Sequence, residues 1–93
     1  MDKKTNELEL VQGVEDSRRN IKYNIRQRFN GRVSEAMPLI KIYISQLRQV
    51  YRNSIEQKLP TLKDAVGDVL EEFYQGVGRD GRKDLFESGL IGY

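Results

Sequence analysis

Between Ser34 and Pro60 the chain carries one apolar stripe with helical spacing. Ile40, Tyr43, Ile44, Leu47, Val50, Tyr51 and Ile55 recur at three- and four-residue steps, the repeat that lines one face of an α-helix and of no strand. This predicts a helix from Ser34 to Leu59. Ser34 is its expected N-cap, and Pro38 then falls in or just beyond the first turn, where a missing N–H does least harm. Pro60 ends the helix, because the residue before a proline is driven out of helical angles.

Two further helices flank this one. Leu10, Val14, Ile21, Ile25 and Phe29 share a face, predicting a helix over Asn6–Phe29. Asn6 with Glu9 resembles a capping box, and Asn30-Gly31 is a C-terminal stop signal. Gly13 lies inside this stretch and weakens its first turns by about 1 kcal/mol relative to Ala. After Pro60, Leu62, Val66, Val69, Leu70 and Phe73 form the apolar face of a third helix. Thr61 and Asp64 are placed to cap it, and Gly76 and Gly78 to stop it. Residues 76–83 read as a glycine- and charge-rich loop, and Asp84–Ser88 as one or two final helical turns. No segment alternates with period two.

The expectation is therefore an all-α fold in a single domain spanning residues 1–93. A hairpin of two long helices carries a third helix and a short C-terminal one, with residues 1–5 and 76–83 flexible. Short connections make neighbouring helices antiparallel. At 93 residues and 38% hydrophobic, the core is lean. Such a chain forms either a loose monomeric bundle or a bundle completed by oligomerisation.

Composition narrows the chemistry. The chain has no Cys, His or Trp. It lacks disulfides, a thiolate nucleophile and a Cys-based zinc site, and it lacks the commonest general base and metal ligand. No apolar run reaches membrane-spanning length, and no secretory signal pattern is present. A cytoplasmic protein without cofactor, metal or membrane contact is expected. Gly76-Val77-Gly78-Arg79-Asp80-Gly81 spells G-x-G-x-x-G, but a helix precedes it and only 12 residues follow it. The dinucleotide fingerprint needs a preceding strand and a later acid. A connector is the simpler reading, with an anion-binding nest around Arg79, Arg82 and Lys83 as the alternative. Glu71-Glu72 and Glu15-Asp16 are sequence neighbours that point apart on a helix, so neither pair forms a ready carboxylate dyad. Catalysis is not expected.

The net charge of +2 conceals a polarised layout. Residues 1–16 carry a net −3, residues 17–58 a net +8 and residues 59–93 a net −3. Lys41, Arg48 and Arg52 lie within about 40° of one another on the second helix. Together with Arg18, Arg19, Lys22 and Arg26 they form a candidate basic face for a partner. Two outcomes compete for it. Either the acids of the third helix, Asp68, Glu71 and Glu72, fold back over these cations, or the face stays open, as a solvated helix face or as a surface for nucleic acid or an acidic protein.

Arg18 falls inside the apolar arc of its own helix. It must snorkel to water, sit at an interface, or pair with an acid of another helix or another subunit, the third helix being the nearest source. Ile42 is the converse, an apolar side chain among Gln46, Gln49 and Asn53. If it makes a contact, that contact is rich in amides. Leu85, Phe86, Leu90, Ile91 and Tyr93 form an apolar C-terminal group that either caps the bundle or docks on a partner.

These features indicate a non-enzymatic protein-interaction module, an accessory or regulatory factor. It would act through its basic hairpin on a protein partner or on itself as an oligomer. The alternative is a nucleic-acid-binding protein that holds the phosphate backbone non-specifically through the same basic face. Tyr23 alone of the hairpin tyrosines is placed to stack on a base.

Overall fold

A computed structural model describes residues 3–91. Four helices follow one another: α1 (Lys3–Phe29), α2 (Val33–Glu56), α3 (Pro60–Gly76) and α4 (Gly78–Glu87), with no strand among the described residues. The all-α architecture follows the apolar periodicity closely. Ile40, Tyr43, Ile44 and Leu47 of α2 are buried together with Leu62, Val66, Val69, Leu70 and Phe73 of α3. Tyr43 meets Phe73 edge to face, with ring centroids 5.3 Å apart and planes at 67°, a favoured aromatic geometry. Val14 and Ile21 close this core from α1. Leu10 and Ile55, at the ends of their stripes, remain 46% and 51% exposed.

The helix ends depart from the sequence reading in instructive ways. α1 begins at Lys3, so Asn6 is a helical residue and not a cap; nothing in the sequence before Asn6 breaks a helix. Of the first five residues, read as flexible, Lys3 to Thr5 are helical, and Met1 and Asp2 lie outside the described residues. α2 starts one residue ahead of Ser34, after Arg32, with no side-chain cap. It stops at Glu56 rather than Leu59. Lys58 turns left-handed there (φ 57°). The Leu59 N–H then donates to the Ser54 carbonyl at 2.8 Å, and the Lys58 N–H to Ile55 at 3.1 Å. This is a Schellman closure made by Lys in place of Gly. It arises because Leu59 must be extended ahead of Pro60, and its φ is −112°.

The start of α3 is capped from a distance. Thr61 and Asp64 form no capping box. Glu7 of α1 instead accepts from the backbone N–H groups of Thr61 and Leu62 at 2.9 and 3.1 Å. A carboxylate there satisfies two orphan donors and suits the positive end of the helix.

The largest correction concerns residues 76–83. They are not a loop: the chain makes one turn at Val77–Gly78 and resumes as α4. Gly78 supplies a φ of +75°, which an L side chain adopts only with strain. Gly81 is buried, and a Cβ on it would stand 2.5 Å from the Val77 Cβ. Two glycines of the apparent nucleotide fingerprint are thus explained by a tight helix–helix elbow. α4 ends in a second Schellman closure at Gly89, with the Leu90 N–H donating to Leu85 at 2.8 Å.

α3 lies against both α1 and α2, and α4 packs beside it on α2 and α3. The molecule measures 42 × 31 × 16 Å. Its shortest dimension holds two layers of helices at a spacing of roughly 8–10 Å. It is more open than its mass requires. The accessible surface is 6596 Å², against about 5,500 Å² for a compact monomer of this mass. The radius of gyration is 13.8 Å, against about 12.3 Å for a compact chain of this length.

Candidate functional site

Of the seven cations expected to form one basic face, Arg18, Lys22, Lys41 and Arg48 are held by other parts of the fold. Arg18, in the apolar arc of α1, forms a two-pronged contact with Glu72 of α3. Its Nε and Nη2 donate to the two carboxylate oxygens at 2.7 and 2.6 Å. Lys22, one turn on, reaches the same carboxylate at 3.6 Å. Lys41 pairs with Asp84 of α4 at 2.6 Å. Arg48 donates to the Leu90 carbonyl at 2.7 Å, and the Tyr74 hydroxyl donates to that carbonyl at 3.0 Å. Arg19 makes only a long contact with Asp16 of its own helix, at 3.6 Å. Arg26 and Arg52 are exposed and make no ion pair among the described residues. Of the α3 acids expected to cover these cations only Glu72 does so, and Asp84 of α4, which the sequence did not suggest, holds another. Glu72 and Asp84 hold cations of α1 and α2. Asp68 and Glu71 pair with none among the described residues.

The Arg18–Glu72 contact answers the anomaly of a cation in an apolar arc. Its side chains keep 34% and 37% exposure, so water screens the pair and its net contribution is about 1 kcal/mol or less. Its main effect is registry between α1 and α3, since a planar guanidinium donates two parallel hydrogen bonds to a carboxylate in one orientation. The hydrogen bonds from Arg18 hold the Glu72 carboxyl below the usual carboxylate range, against the opposing effect of burial and with further help from Lys22. Beside it, burial pushes the Tyr43 hydroxyl up. That hydroxyl lies 3.0 Å from the Ser17 Oγ, and Ser17 donates to the Val14 carbonyl at 2.8 Å.

A pH dependence follows. The folded state binds the Glu72 proton less tightly than the unfolded chain does, so the pair stabilises fully above the ordinary Glu value of about 4.3. The contribution disappears as the pH falls through the lowered folded value. Glu72→Gln is expected to melt at a lower temperature than wild type at pH 7 and to converge with it below pH 4. Parallel melting curves, followed by circular dichroism across that range, provide the check.

The C-terminal group is drawn inward. Leu85 is wholly buried, Leu90 and Ile91 pack against the core, and Phe86 points outward at 65% exposure. Tyr93 lies outside the described residues. Leu85, Leu90 and Ile91 are therefore packing residues of the bundle, which leaves Phe86 as the exposed one among the described members of the expected docking group.

A different surface remains open. The face of α1 and α2 turned away from α3 is a groove of about 570 Å³, lined only by those two helices. Of its 14 lining residues only Glu9 is charged, in a chain that is 32% charged. Its floor includes Val14, Ile21 and Leu47, and its walls carry Gly13, Ser17, Asn20, Asn24 and Gln46. Leu10 and Ile42 stand at its rim, 46% and 59% exposed. Sequence reasoning marked Ile42 as an apolar residue among amides. It did not find the groove, because the α1 side is not a hydrophobic stripe. The available signal was absence: Leu10, Gly13, Ser17, Asn20 and Asn24 form an uncharged helical face in a highly charged helix.

No helix among the described residues is long and apolar enough to cross a membrane. No protein-family model, curated protein or solved structure matches the chain.

Proposed function

We propose that the protein is a non-enzymatic interaction module, a cytoplasmic accessory or regulatory factor. It binds a protein through the α1–α2 groove. The observation that carries this reading is the loss of charge on that one face. Depletion of charged residues with retained apolar and amide groups marks the cores of protein interfaces. The basic hairpin is less suited to the role than its composition suggests. Arg18, Lys22, Lys41 and Arg48 already hold α1 and α2 to α3, α4 and the C-terminal segment. A phosphate backbone would have to compete with those partners.

The test contrasts the two faces. A photoreactive side chain at position 42 is expected to form protein adducts in cells, and the same group at position 52 is not. Low-salt gel shifts with single- and double-stranded nucleic acid are expected to show no binding. A salt-sensitive shift, abolished by Arg19→Glu/Arg26→Glu/Arg52→Glu but untouched by Ile42→Glu, would reject the groove and establish the phosphate-binding alternative.

A further inference from the structure

We infer that the occupant of the groove is a second copy of this chain, seated antiparallel and closing the open face of both. The inference rests on the groove being the interaction surface and adds the identity of the partner. Three observations favour a copy over an unrelated protein.

The first is area. The chain exposes 6596 Å², about 1,000 Å² more than a compact monomer of its mass. A standard stable interface buries about 800 Å² from each partner. The surplus is thus of the size that one such contact removes, and the α1–α2 groove is one of the open surfaces over which it is spread.

The second is the chemistry of the rim. At a two-fold axis each group meets its own copy or a near neighbour of it. Like charges repel there. Asn20, Asn24 and Gln46 are suited to it, because an amide both donates and accepts and so complements itself. Gly13 and Ser17 keep the α1 surface low at its centre, so two α1 helices can approach closely.

The third is the polarity of α1. Its first half carries Glu7, Glu9, Glu15 and Asp16 against Lys3 and Lys4, and its second half Arg18, Arg19, Lys22, Arg26 and Arg28 with no acid. Glu7, Arg18 and Lys22 are engaged with α3, which leaves Glu9 and Arg28 as the charges nearest the groove side. Leu10, Ser17 and Asn24 are seven residues apart on the groove face, and Arg28 falls at the same angular position one turn beyond Asn24, past the end of the groove lining. An antiparallel copy centred near Ser17 brings the Glu9 end of one α1 to the Arg28 end of the other. A parallel copy would set like charges together.

Analytical ultracentrifugation from low to high micromolar concentration tests this. Wild type is expected to shift towards twice the 10.8 kDa chain mass. Ile42→Glu is expected to weaken association at least about a hundredfold, since each dimer would bury two unpaired carboxylates. Its helical signal should hold, and its melting temperature should match wild type at concentrations where wild type is monomeric, because Ile42 is 59% exposed in the single chain. Glu9→Arg and Arg28→Glu singly should each weaken association, and the double exchange should recover it. Wild type monomeric at every concentration overturns the inference. So does a dimer indifferent to Ile42→Glu, or a double exchange no better than the singles. If wild type is monomeric but position 42 still crosslinks to another protein, the groove remains the binding face and only the second copy is lost.

Discussion

Leu85→Ala is expected to destabilise the protein by about 3 kcal/mol, a large share of the stability of a domain this size. Leu85 is wholly buried, although it lies in a segment too short to fold alone. Its removal deletes apolar contacts and leaves a cavity, because α2, α3 and α4 are joined too tightly to collapse into it. The segment is also tied down beyond its apolar contacts. The Leu90 carbonyl accepts from Arg48 and Tyr74, and Lys41 pairs with Asp84. Deleting residues 84–93 should therefore lower the melting temperature further than Leu85→Ala does. Phe86→Ala, at a 65% exposed position, should change it little. Chemical denaturation of the three variants measures the order. If the deletion leaves the midpoint unchanged, the C-terminal segment is not part of the bundle.

The second large effect is expected at the elbow between α3 and α4. Gly81→Ala puts a methyl group 2.5 Å from the Val77 Cβ and 2.9 Å from its Cγ2, well inside contact distance. Overpacking of this kind costs about 1–3 kcal/mol, partly offset by the better helix propensity of Ala, worth about 1 kcal/mol. α4 must then pivot on Gly78, and the Lys41–Asp84 pair and the burial of Leu85 both depend on its angle. A double-mutant cycle separates this steric effect from propensity. Gly81→Ala combined with Val77→Gly should be less destabilised than the sum of the single variants, because the second change removes the atoms the first one meets. Strict additivity would show that the two positions do not clash.

Both effects lie where the sequence was hardest to read. The glycines at 76, 78 and 81 suggested a loop, and charged residues between them masked the apolar contribution of Val77 and Leu85. A short helix with a single buried leucine has too little periodicity to stand out. Glu7 gave no sign of capping α3, since its partners lie 54 and 55 residues away. The pairing of the basic residues was hidden for a related reason. A helical wheel places cations on a flank of one helix, but it cannot say that another helix will bring an acid to that flank. The Arg18 anomaly was more informative, because a cation in an apolar arc demands a partner wherever the chain goes.

Local physics was enough for the helices themselves. Apolar residues at three- and four-residue steps bury one face of any helix that contains them, and Pro60 and Asn30-Gly31 interrupt helical geometry whatever surrounds them. The sequence alone therefore determined three main helices, their order and most of the residues that meet in the core. Tertiary structure decided which charges are neutralised and which face stays open. Those outcomes depend on distances between residues far apart in the chain. Glu72 and Asp84 bind cations of α1 and α2 because α3 and α4 cover one side of the hairpin. The groove exists because none of the described residues covers the other.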